Sequence, residues 1–305
     1  MIVNRATISA VFLTLKAVFQ KAFSEAPSTW QKIAMKVPAP SGMVDYAWFS
    51  DFPMMKEWVG DKVIKALKAF KYTLEARDFE ATIAVKRKFI ERDQLGIYKP
   101  QAQGAGMAAK EFPDVLVYEA VNGAFVNPCY DGQKFCDAEH PVGPEGEEVL
   151  VSNKGVAPLS NANKAAADAS FGAARTAMRK FKSDEGRNLN IRPNILLVPP
   201  ALETVAIALM THDKLADDTP NPYKGMAEVV CDGRMSSDTA WFLLDTTRPV
   251  KPFIYQETKK PHFVQQVHPE SDDVFMRAEY KFGAEAEAES GYGLWQLCYG
   301  STGEG

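Results

Sequence analysis

The chain has 305 residues, of which 46% are hydrophobic and 24% are charged, and its formal net charge is −4 at pH 7. These proportions are ordinary for a soluble globular protein, whereas the mild negative charge argues against a protein that grips nucleic acid through a basic surface. The four cysteines are scattered and no run of about 18 apolar residues occurs, so the sequence predicts neither a disulfide framework nor a membrane span.

The first predicted element is an amphipathic helix near the N-terminus. Apolar side chains at positions 8, 11, 12, 15, 19, 22 and 23 fall on one helical face, and Thr7 is placed to cap the helix. The same stretch could pass for the apolar core of a secretion signal, but Lys16 and Lys21 interrupt it and no clean cleavage site follows. We therefore predict a helix, in a protein that is cytoplasmic when it is made.

An arm and a hairpin are predicted next. Residues 27–45 contain three prolines and Gly42, a pattern typical of an extended arm rather than a packed element. Alternating apolar residues over 70–74 and 79–85 then predict two strands, with a polar turn at 75–78 between them. Such a hairpin has too little neighbouring chain to bury itself, so we expect it to be stable mainly when it lies on another subunit.

The hairpin region is locally basic although the whole chain is acidic. Lysines recur at every third position, at Lys62, Lys65, Lys68 and Lys71. Two interpretations stay open, because these lysines could form a solvated face or a basic arm that lies on an acidic neighbour.

The middle of the chain predicts two helices separated by a loop. The first is expected over 93–122, where two glycines and Pro113 predict a kink or a break. Residues 141–163 are rich in Gly, Pro, Ser and Asn and predict a loop. The alanine-rich stretch 165–182 then predicts a second helix with apolar residues along one side.

The remaining sequence alternates strands with turns and one helix. Residues 194–198 have the pattern of a buried strand and precede a helix at 202–210. Further strands are predicted at 227–231, 240–244, 253–256, 274–282 and 293–299. This order indicates an α+β protein rather than a regular parallel α/β sheet. The glutamates that alternate with alanine at 285, 287 and 289 are interpreted as a solvated edge or loop, not as a carboxylate site.

One group of residues has side chains that could bind a metal. Cys129, Cys136 and His140 lie within twelve residues, and zinc prefers sulfur and imidazole ligands. The two cysteines are more widely spaced than in structural zinc sites and no fourth ligand is evident, so we favour a tight turn at 130–132 with buried thiols. No histidine lies in a nucleophile motif and no phosphate-binding glycine loop occurs, so we predict no catalytic residue, no metal and no cofactor.

Several stretches, spread over almost the whole chain, carry a family resemblance. They are Glu57-Trp58-Val59-Gly60, Phe79-Glu80-Ala81-Thr82-Ile83, Ile90 to Tyr98, Cys129-Tyr130-Asp131-Gly132-Gln133 with Glu139-His140-Pro141-Val142, Pro249 to Gln256, and Gly291 to Ser301. In this order they resemble the Mu-like phage major head subunit gpT, and the chain is identified as a member of that family.

The resemblance implies an α+β fold, the Hong Kong 97-like major capsid protein fold of tailed phages. It also implies a division of the chain into an N-terminal arm (1–45), an extended loop (46–90), a peripheral domain with a spine helix (91–160), a mainly axial domain (161–250) and axial or peripheral return strands (251–305).

The resemblance implies a structural function rather than an enzymatic one. Family members form the hexamers and pentamers of an icosahedral head, which contains double-stranded DNA without sequence-specific binding. Because the chain begins directly with the arm, we expect a separate scaffold protein, together with a portal; whether a decoration protein covers the shell stays open. We expect the protein in the virion after assembly in the host bacterial cytoplasm, with no membrane partner.

Eight residues of the extended-loop region are predicted to contact neighbouring subunits: Trp58, Val59, Lys62, Lys65, Phe70, Tyr72, Arg77 and Phe79. Trp58 and Phe70 are the predicted anchors, because aromatic side chains contribute much of the energy of such interfaces. Two alternative functions are an encapsulin-like compartment shell that sequesters an enzyme and, from another class, a metal-dependent enzyme that uses Cys129, Cys136 and His140.

Overall fold

The computed structural model of the protein describes residues 5–46, 72–91, 96, 98–143, 147–183, 185–268 and 271–305. Its helices are α1 (Arg5–Glu25), α2 (Trp30–Ile33), α3 (Arg87–Glu91), α4 (Lys99–Asn122), α5 (Lys164–Ala167), α6 (Ala173–Lys180), α7 (Glu203–Thr211) and α8 (Asp272–Arg277). Its strands are β1 (Ala34–Pro38), β2 (Met43–Asp45), β3 (Thr73–Glu75), β4 (Arg77–Lys86), β5 (His140–Val142), β6 (Val149–Val151), β7 (Lys154–Gly155), β8 (Ile195–Val198), β9 (Glu228–Cys231), β10 (Trp241–Leu244), β11 (Phe253–Gln266), β12 (Glu279–Tyr292) and β13 (Cys298–Ser301). Across these ranges, none of the helices has the length and apolar character that a membrane crossing requires.

A four-stranded sheet, here called the long sheet, has the strand order β1-β11-β12-β4. The 14-residue strands β11 and β12 form its antiparallel centre, β4 pairs antiparallel with β12, and β1 runs parallel to β11. Successive side chains of a strand point to opposite faces. In β12 this places Tyr280, Phe282 and the alanines at 284, 286 and 288 on one buried face. Glu285 and Glu287, which lie between those alanines, are on the opposite face.

Helices α1 and α4 cover the buried face of the long sheet. Phe12 of α1 packs against Tyr280 and Phe282, with ring centroids 6.1 and 6.0 Å apart. The two helices are in close contact at Gly106, where an added Cβ would lie 2.4 Å from the carbonyl oxygen of Phe19. A larger residue at this position would therefore force the helices apart.

A five-stranded sheet, here called the short sheet, has the strand order β7-β13-β10-β8-β9. Every residue of β8 and β10 is buried, which explains their continuous apolar sequences. Helix α6 packs against β13, and α7 packs against β8 and β9. One hydrophobic core joins this sheet to the C-terminal half of α4 and the first residues of β11.

Most predicted helices and buried strands are confirmed, as is the α+β class. Helix α1, the pair α5 and α6 (joined by a π-helical turn over Asp168–Gly172), α7, β8, β9 and β10 lie within a few residues of their predicted bounds. Helix α4 ends at Asn122 as predicted but begins at Lys99 rather than near 93. Pro113 lies inside α4 and does not end it.

The predicted hairpin is wrong in its pairing. Ala76 is the single residue between β3 and β4, which is shorter than the two-residue loop of a tight hairpin, and each strand pairs elsewhere: β3 with β2 and β4 with β12. The β2–β3 pair instead brings together the residues that flank 47–71, because the backbone N–H of Tyr46 donates to the carbonyl of Tyr72 at 2.8 Å.

The prediction that residues 27–45 are extended and unpacked is also wrong. Strand β1 belongs to the long sheet, and Trp30 is buried against Tyr255 with ring centroids 4.8 Å apart. Proline suggested an unpacked arm, but Pro38 ends an edge strand, where a missing backbone N–H is tolerated.

Four smaller predictions are corrected by the structure. Residues 274–277 lie in α8, whose first turn holds two aspartates and whose last turn holds Arg277, an arrangement that favours a helix over a strand. The glutamates of β12 lie on an inner strand rather than an edge or loop. Residues 141–163 contain short strands as well as loop, and Thr7 lies inside α1 rather than at its cap.

Candidate subunit interface

The predicted interface residues fall into two groups. Trp58, Val59, Lys62, Lys65 and Phe70 lie outside the described residues. The structure describes the other three, Tyr72, Arg77 and Phe79. Tyr72 and the β2–β3 pair flank residues 47–71 and are called the base of that segment here, and Arg77 and Phe79 lie beside this base on β4.

Tyr72 anchors this base to the long sheet. Its hydroxyl oxygen accepts a hydrogen bond from the backbone N–H of Tyr292 at 2.9 Å. Its ring lies near that of Tyr46, with centroids 6.2 Å apart. Burial raises the pKa of the Tyr72 phenol, so it stays protonated. Tyr72 therefore contributes to the fold of its own subunit.

Arg77 and Phe79 join β4 to its neighbours. The guanidinium of Arg77 forms a two-pronged ion pair with Glu289 of β12, at 2.6 and 2.9 Å, and reaches Glu119 of α4 at 3.1 Å. The hydrogen bond to Glu289 raises the pKa of Arg77, against the opposing effect of desolvation. Phe79 packs on Phe112 of α4, with ring centroids 4.6 Å apart. The same guanidinium lies 5.4 Å above the Phe79 ring.

An acidic groove lies on the long sheet. In the register of β12 and β4, Glu285 is directly opposite Glu80 and Glu287 is directly opposite Asp78. The groove has a volume of about 310 Å³ and is lined by Asp78, Phe79, Glu80, Lys259, Glu285 and Ala286. Lys259, whose Nζ is 3.4 Å from Glu285, is the one cation among the lining residues that the structure describes. Like charges directly opposite each other destabilise a strand pair. Positive charge from a partner at this surface would therefore reduce the repulsion between these carboxylates.

Large apolar side chains are exposed at the far end of the β11–β12 pair. Phe275 and Met276 of α8 are 84% and 76% exposed. Val149 and Leu150 of β6 form another exposed apolar pair. Such residues are more typical of surfaces that other proteins cover than of the surface of a monomer.

The candidate metal residues form a different cluster from the predicted one. One ligand atom from each of Cys129, Asp131 and His140 lies within 4.8 Å of the other two, whereas the Cys136 thiol lies 3.9 Å from that of Cys298. Asp131 belongs to this cluster because the tight turn that begins at Cys129 brings its carboxylate close to the Cys129 thiol and to the His140 ring. Gly132, at φ +84°, completes this turn. The predicted turn with buried thiols is confirmed.

Contacts within this cluster have the lengths of hydrogen bonds. His140 Nδ1 is 2.6 Å from Asp131 Oδ2, and the Cys129 thiol donates to Asp131 Oδ1 at 3.1 Å. Burial works to raise the pKa of Asp131, but its hydrogen bonds and the charge of His140 outweigh burial and lower that pKa. Burial raises the pKa of the Cys129 thiol, whereas zinc needs a thiolate. The residues therefore fit a hydrogen-bonded cluster better than a zinc site.

Comparison with known proteins identifies the family. The model of the family described as Mu-like prophage major head subunit gpT matches residues 8–165, 158–235 and 231–304. The chain belongs to this family. The predicted identification as a Mu-like phage major head subunit is thereby confirmed, and the family is one of structural proteins of the virion.

Two curated relatives extend this result. The major capsid protein of Escherichia phage Mu is 30% identical over 304 residues, which cover 100% of this chain and 76% of that protein. The Mu-like prophage FluMu major head subunit of Haemophilus influenzae is 27% identical over 297 residues, with 97% and 73% covered.

Solved structures confirm the predicted Hong Kong 97-like fold. The procapsid of bacteriophage JBD30 matches with a TM-score of 0.62 at 30% identity, covering 98% of this chain and 76% of that chain. The JBD30 capsid matches with a TM-score of 0.60 at 27% identity, covering 77% and 100%. The virus-like particle from Pyrococcus furiosus, at 11% identity and a TM-score of 0.53 over 95% and 98% of the two chains, is similar in fold alone.

Proposed function

We propose that copies of this chain assemble as hexamers and pentamers into the icosahedral head of a tailed phage, in the cytoplasm of the host bacterium. The observation that carries the proposal is the family match, which runs from residue 8 to residue 304. Similarity to the subunits of the JBD30 procapsid and capsid over most of the chain supports it.

The proposed interface centres on segment 47–71 and its base. Trp58, Val59, Lys62, Lys65 and Phe70 would contact a neighbouring copy, with Tyr72, Arg77 and Phe79 at the base of the segment. The contacts of these last three with their own subunit support a rigid base rather than a loose hinge. A rigid base lowers the conformational entropy lost when the segment docks.

The acidic groove is the proposed docking surface for the lysines of this segment. Lys62, Lys65, Lys68 and Lys71 carry positive charge, whereas the lining of the groove that the structure describes holds Asp78, Glu80 and Glu285 with Lys259 as its one cation. Of the two interpretations of these lysines, this complementarity favours the basic arm on an acidic neighbour. Closed symmetry would repeat the contact throughout the shell and multiply modest affinities.

The proposed partners follow from the role of a container. The net charge of −4 gives a wall with little affinity for packaged double-stranded DNA. A separate scaffold protein and a portal are proposed as assembly partners. The exposed Phe275 and Met276 are available for a further contact between copies.

The experiment that tests the function is to express the full-length chain with and without its scaffold protein. Sedimentation velocity and negative-stain imaging should then show rings or head-sized particles. A monomer or small oligomer under both conditions would contradict the proposal. Closed shells that form without scaffold and capture an enzyme rather than DNA would favour the encapsulin-like alternative instead.

A further inference from the structure

In the part of the chain that the structure describes, β4 is an outer strand of the long sheet and has no feature that blocks pairing with a further strand. It runs for 10 residues without a proline and keeps one continuous register with β12. On the other side of the sheet, Pro38 ends β1, and β11 contains Pro261 and two register shifts. Proline and irregular register keep an edge from pairing with another chain. The β4 edge lacks both.

The register shows which backbone groups of β4 point away from the sheet. The N–H of Arg87 donates to the carbonyl of Ala278 at 2.8 Å, and these two residues continue the register of β4 with β12. Opposed residues of antiparallel strands alternate between hydrogen-bonded pairs and pairs without hydrogen bonds. The odd-numbered residues of β4 therefore bond to β12, and the even-numbered residues direct their N–H and C=O groups outward. The outward-directed residues are Asp78, Glu80, Thr82, Ala84 and Lys86.

The charges along this edge are complementary to those of a second copy of the same strand. If two β4 strands run antiparallel with Thr82 opposite Thr82, outward-directed residues pair with outward-directed residues, so the backbone hydrogen bonds can form. Lys86 of each copy then lies opposite Asp78 of the other. Asp78 is opposite Glu287 within its own subunit, so the lysine of the partner copy relieves a like-charge pair.

The apolar side chains of β4 match in the same register. Phe79 lies opposite Val85 of the other copy, and Ala81 lies opposite Ile83. In the single chain Phe79 and Ile83 are half-buried and Ala81 is exposed, although all three share the face that the helices cover. Cross-strand pairs of aromatic and β-branched residues stabilise a sheet, so a second β4 would extend the apolar face.

Registers displaced by two residues fit less well. Centred on residue 81, the pairing sets Val85 opposite Arg77, and centred on residue 83 it sets Phe79 opposite Arg87. Both place a charged side chain against an apolar one. The register centred on residue 82 instead sets Arg77 opposite Arg87 at its two ends, where the carboxylate of Glu289 already compensates Arg77.

We propose that β4 of one copy pairs antiparallel with β4 of a second copy about a two-fold axis through Thr82, so that two long sheets join into one continuous sheet. The contact is isologous, because both copies present the same surface. It rests on the proposed function for the presence of many copies, and it adds to that function a contact between subunits that segment 47–71 does not make.

Cysteine cross-linking of the full-length chain tests the two-fold axis. Cys231→Ser first removes the one cysteine that is not buried. The two Cα atoms of residue 82 should lie about 5.5 Å apart, within the range of a disulfide. Diamide, which oxidises two thiols to a disulfide and is itself reduced to the hydrazine, should therefore convert Thr82→Cys into a dimer on a non-reducing gel.

Glu80→Cys is the matched control, because it is exposed on the same face of β4. Its two copies should lie about 14 Å apart, since a strand rises about 3.4 Å per residue, so Glu80→Cys alone should stay monomeric on the gel. Glu80→Cys mixed with Ala84→Cys should give a dimer. Self-cross-linking by Ala81→Cys or Ile83→Cys in place of Thr82→Cys would overturn the proposed register.

Charge reversal tests the Lys86–Asp78 pair in the Thr82→Cys chain. Lys86→Glu should reduce the yield of dimer, and Asp78→Lys added to the same chain should restore it. Lys180→Glu, at an exposed position of α6, is the control and should leave the yield unchanged.

Negative-stain imaging of the same samples separates this inference from the proposed function. Shells that form while Thr82→Cys gives no dimer would overturn the strand pairing and leave the proposed function intact. Cross-linked dimers from a chain that forms no shell would support the pairing and contradict the proposed function.

Discussion

Gly106 shows how a single residue sets the distance between two helices. A Cβ at this position would lie 2.4 Å from the Phe19 carbonyl oxygen and 3.1 Å from the Ala22 side chain. The first of these is a backbone atom, which cannot rotate away. Gly104, two residues earlier in the same helix, is exposed, and no atom lies within 4 Å of the position that a Cβ would occupy there.

These two glycines make a matched pair for mutagenesis. Gly106→Ala should lower the free energy of unfolding by roughly 1–3 kcal/mol, because α1 must move away from α4. Gly104→Ala should raise it by up to about 1 kcal/mol, because alanine has the higher helix propensity and meets no neighbour. Urea denaturation of the two variants measures both values, and equal effects would show that the helix crossing tolerates a methyl group at Gly106.

At the scale of elements, one buried carboxylate fastens the N-terminal segment to α4. Asp114, 1% exposed, accepts the backbone N–H groups of Thr29 and Trp30 at 2.8 Å each and the hydroxyl of Ser28 at 2.7 Å. It therefore caps α2 from another helix, since Thr29 makes no side-chain cap bond of its own. This contact explains why a proline-rich stretch leads into an ordered strand.

The cap can be tested by removing the Asp114 carboxylate or by replacing it with an amide, which has one acceptor oxygen. Asp114→Ala leaves two N–H groups buried without a partner and should destabilise the chain by on the order of 3 kcal/mol. Asp114→Asn keeps one acceptor oxygen and should have a smaller effect, of about 1 kcal/mol. Asp217→Ala is the control, because it removes a comparable acceptor from the exposed turn at Thr219. Similar losses for Asp114→Ala and the control would contradict the capping role.

At the scale of the whole molecule, we expect the like-charge pairs of the acidic groove to lower the stability of the isolated subunit and to favour shell assembly. Glu80 and Glu285 repel each other within the subunit, and in the proposed shell both face the lysines of a neighbouring copy. A substitution that removes the repulsion should therefore help the isolated chain and harm the assembly.

Glu80→Lys is the variant that separates the two effects. It should stabilise the subunit by about 0.5 kcal/mol through a cross-strand ion pair with Glu285, yet raise the protein concentration needed for shell formation. Adding Lys62→Glu and Lys65→Glu to the same chain should restore assembly in part. Asp238→Lys, at an exposed loop away from the long sheet, controls for the change in net charge. Normal shell formation by Glu80→Lys at equal salt would argue against the groove as an interface.

The sequence by itself was sufficient for elements whose signal is local. The apolar spacing of α1, the continuous apolar run of β8 and each single motif of the gpT family lie within short windows, and the predictions made from them are confirmed. Local periodicity reflects which face of an element is buried, so it needs no knowledge of the partner.

Tertiary structure decided which segments pair and which residues meet. The strands β3 and β4 are adjacent in sequence but pair with β2 and β12, because the chain between them is too short to turn. The ring of His140 is held by Asn153 and Trp295, residues that no sequence spacing connects to it. Contacts between distant segments depend on the packing of the whole chain, and local sequence patterns carry no signal for them.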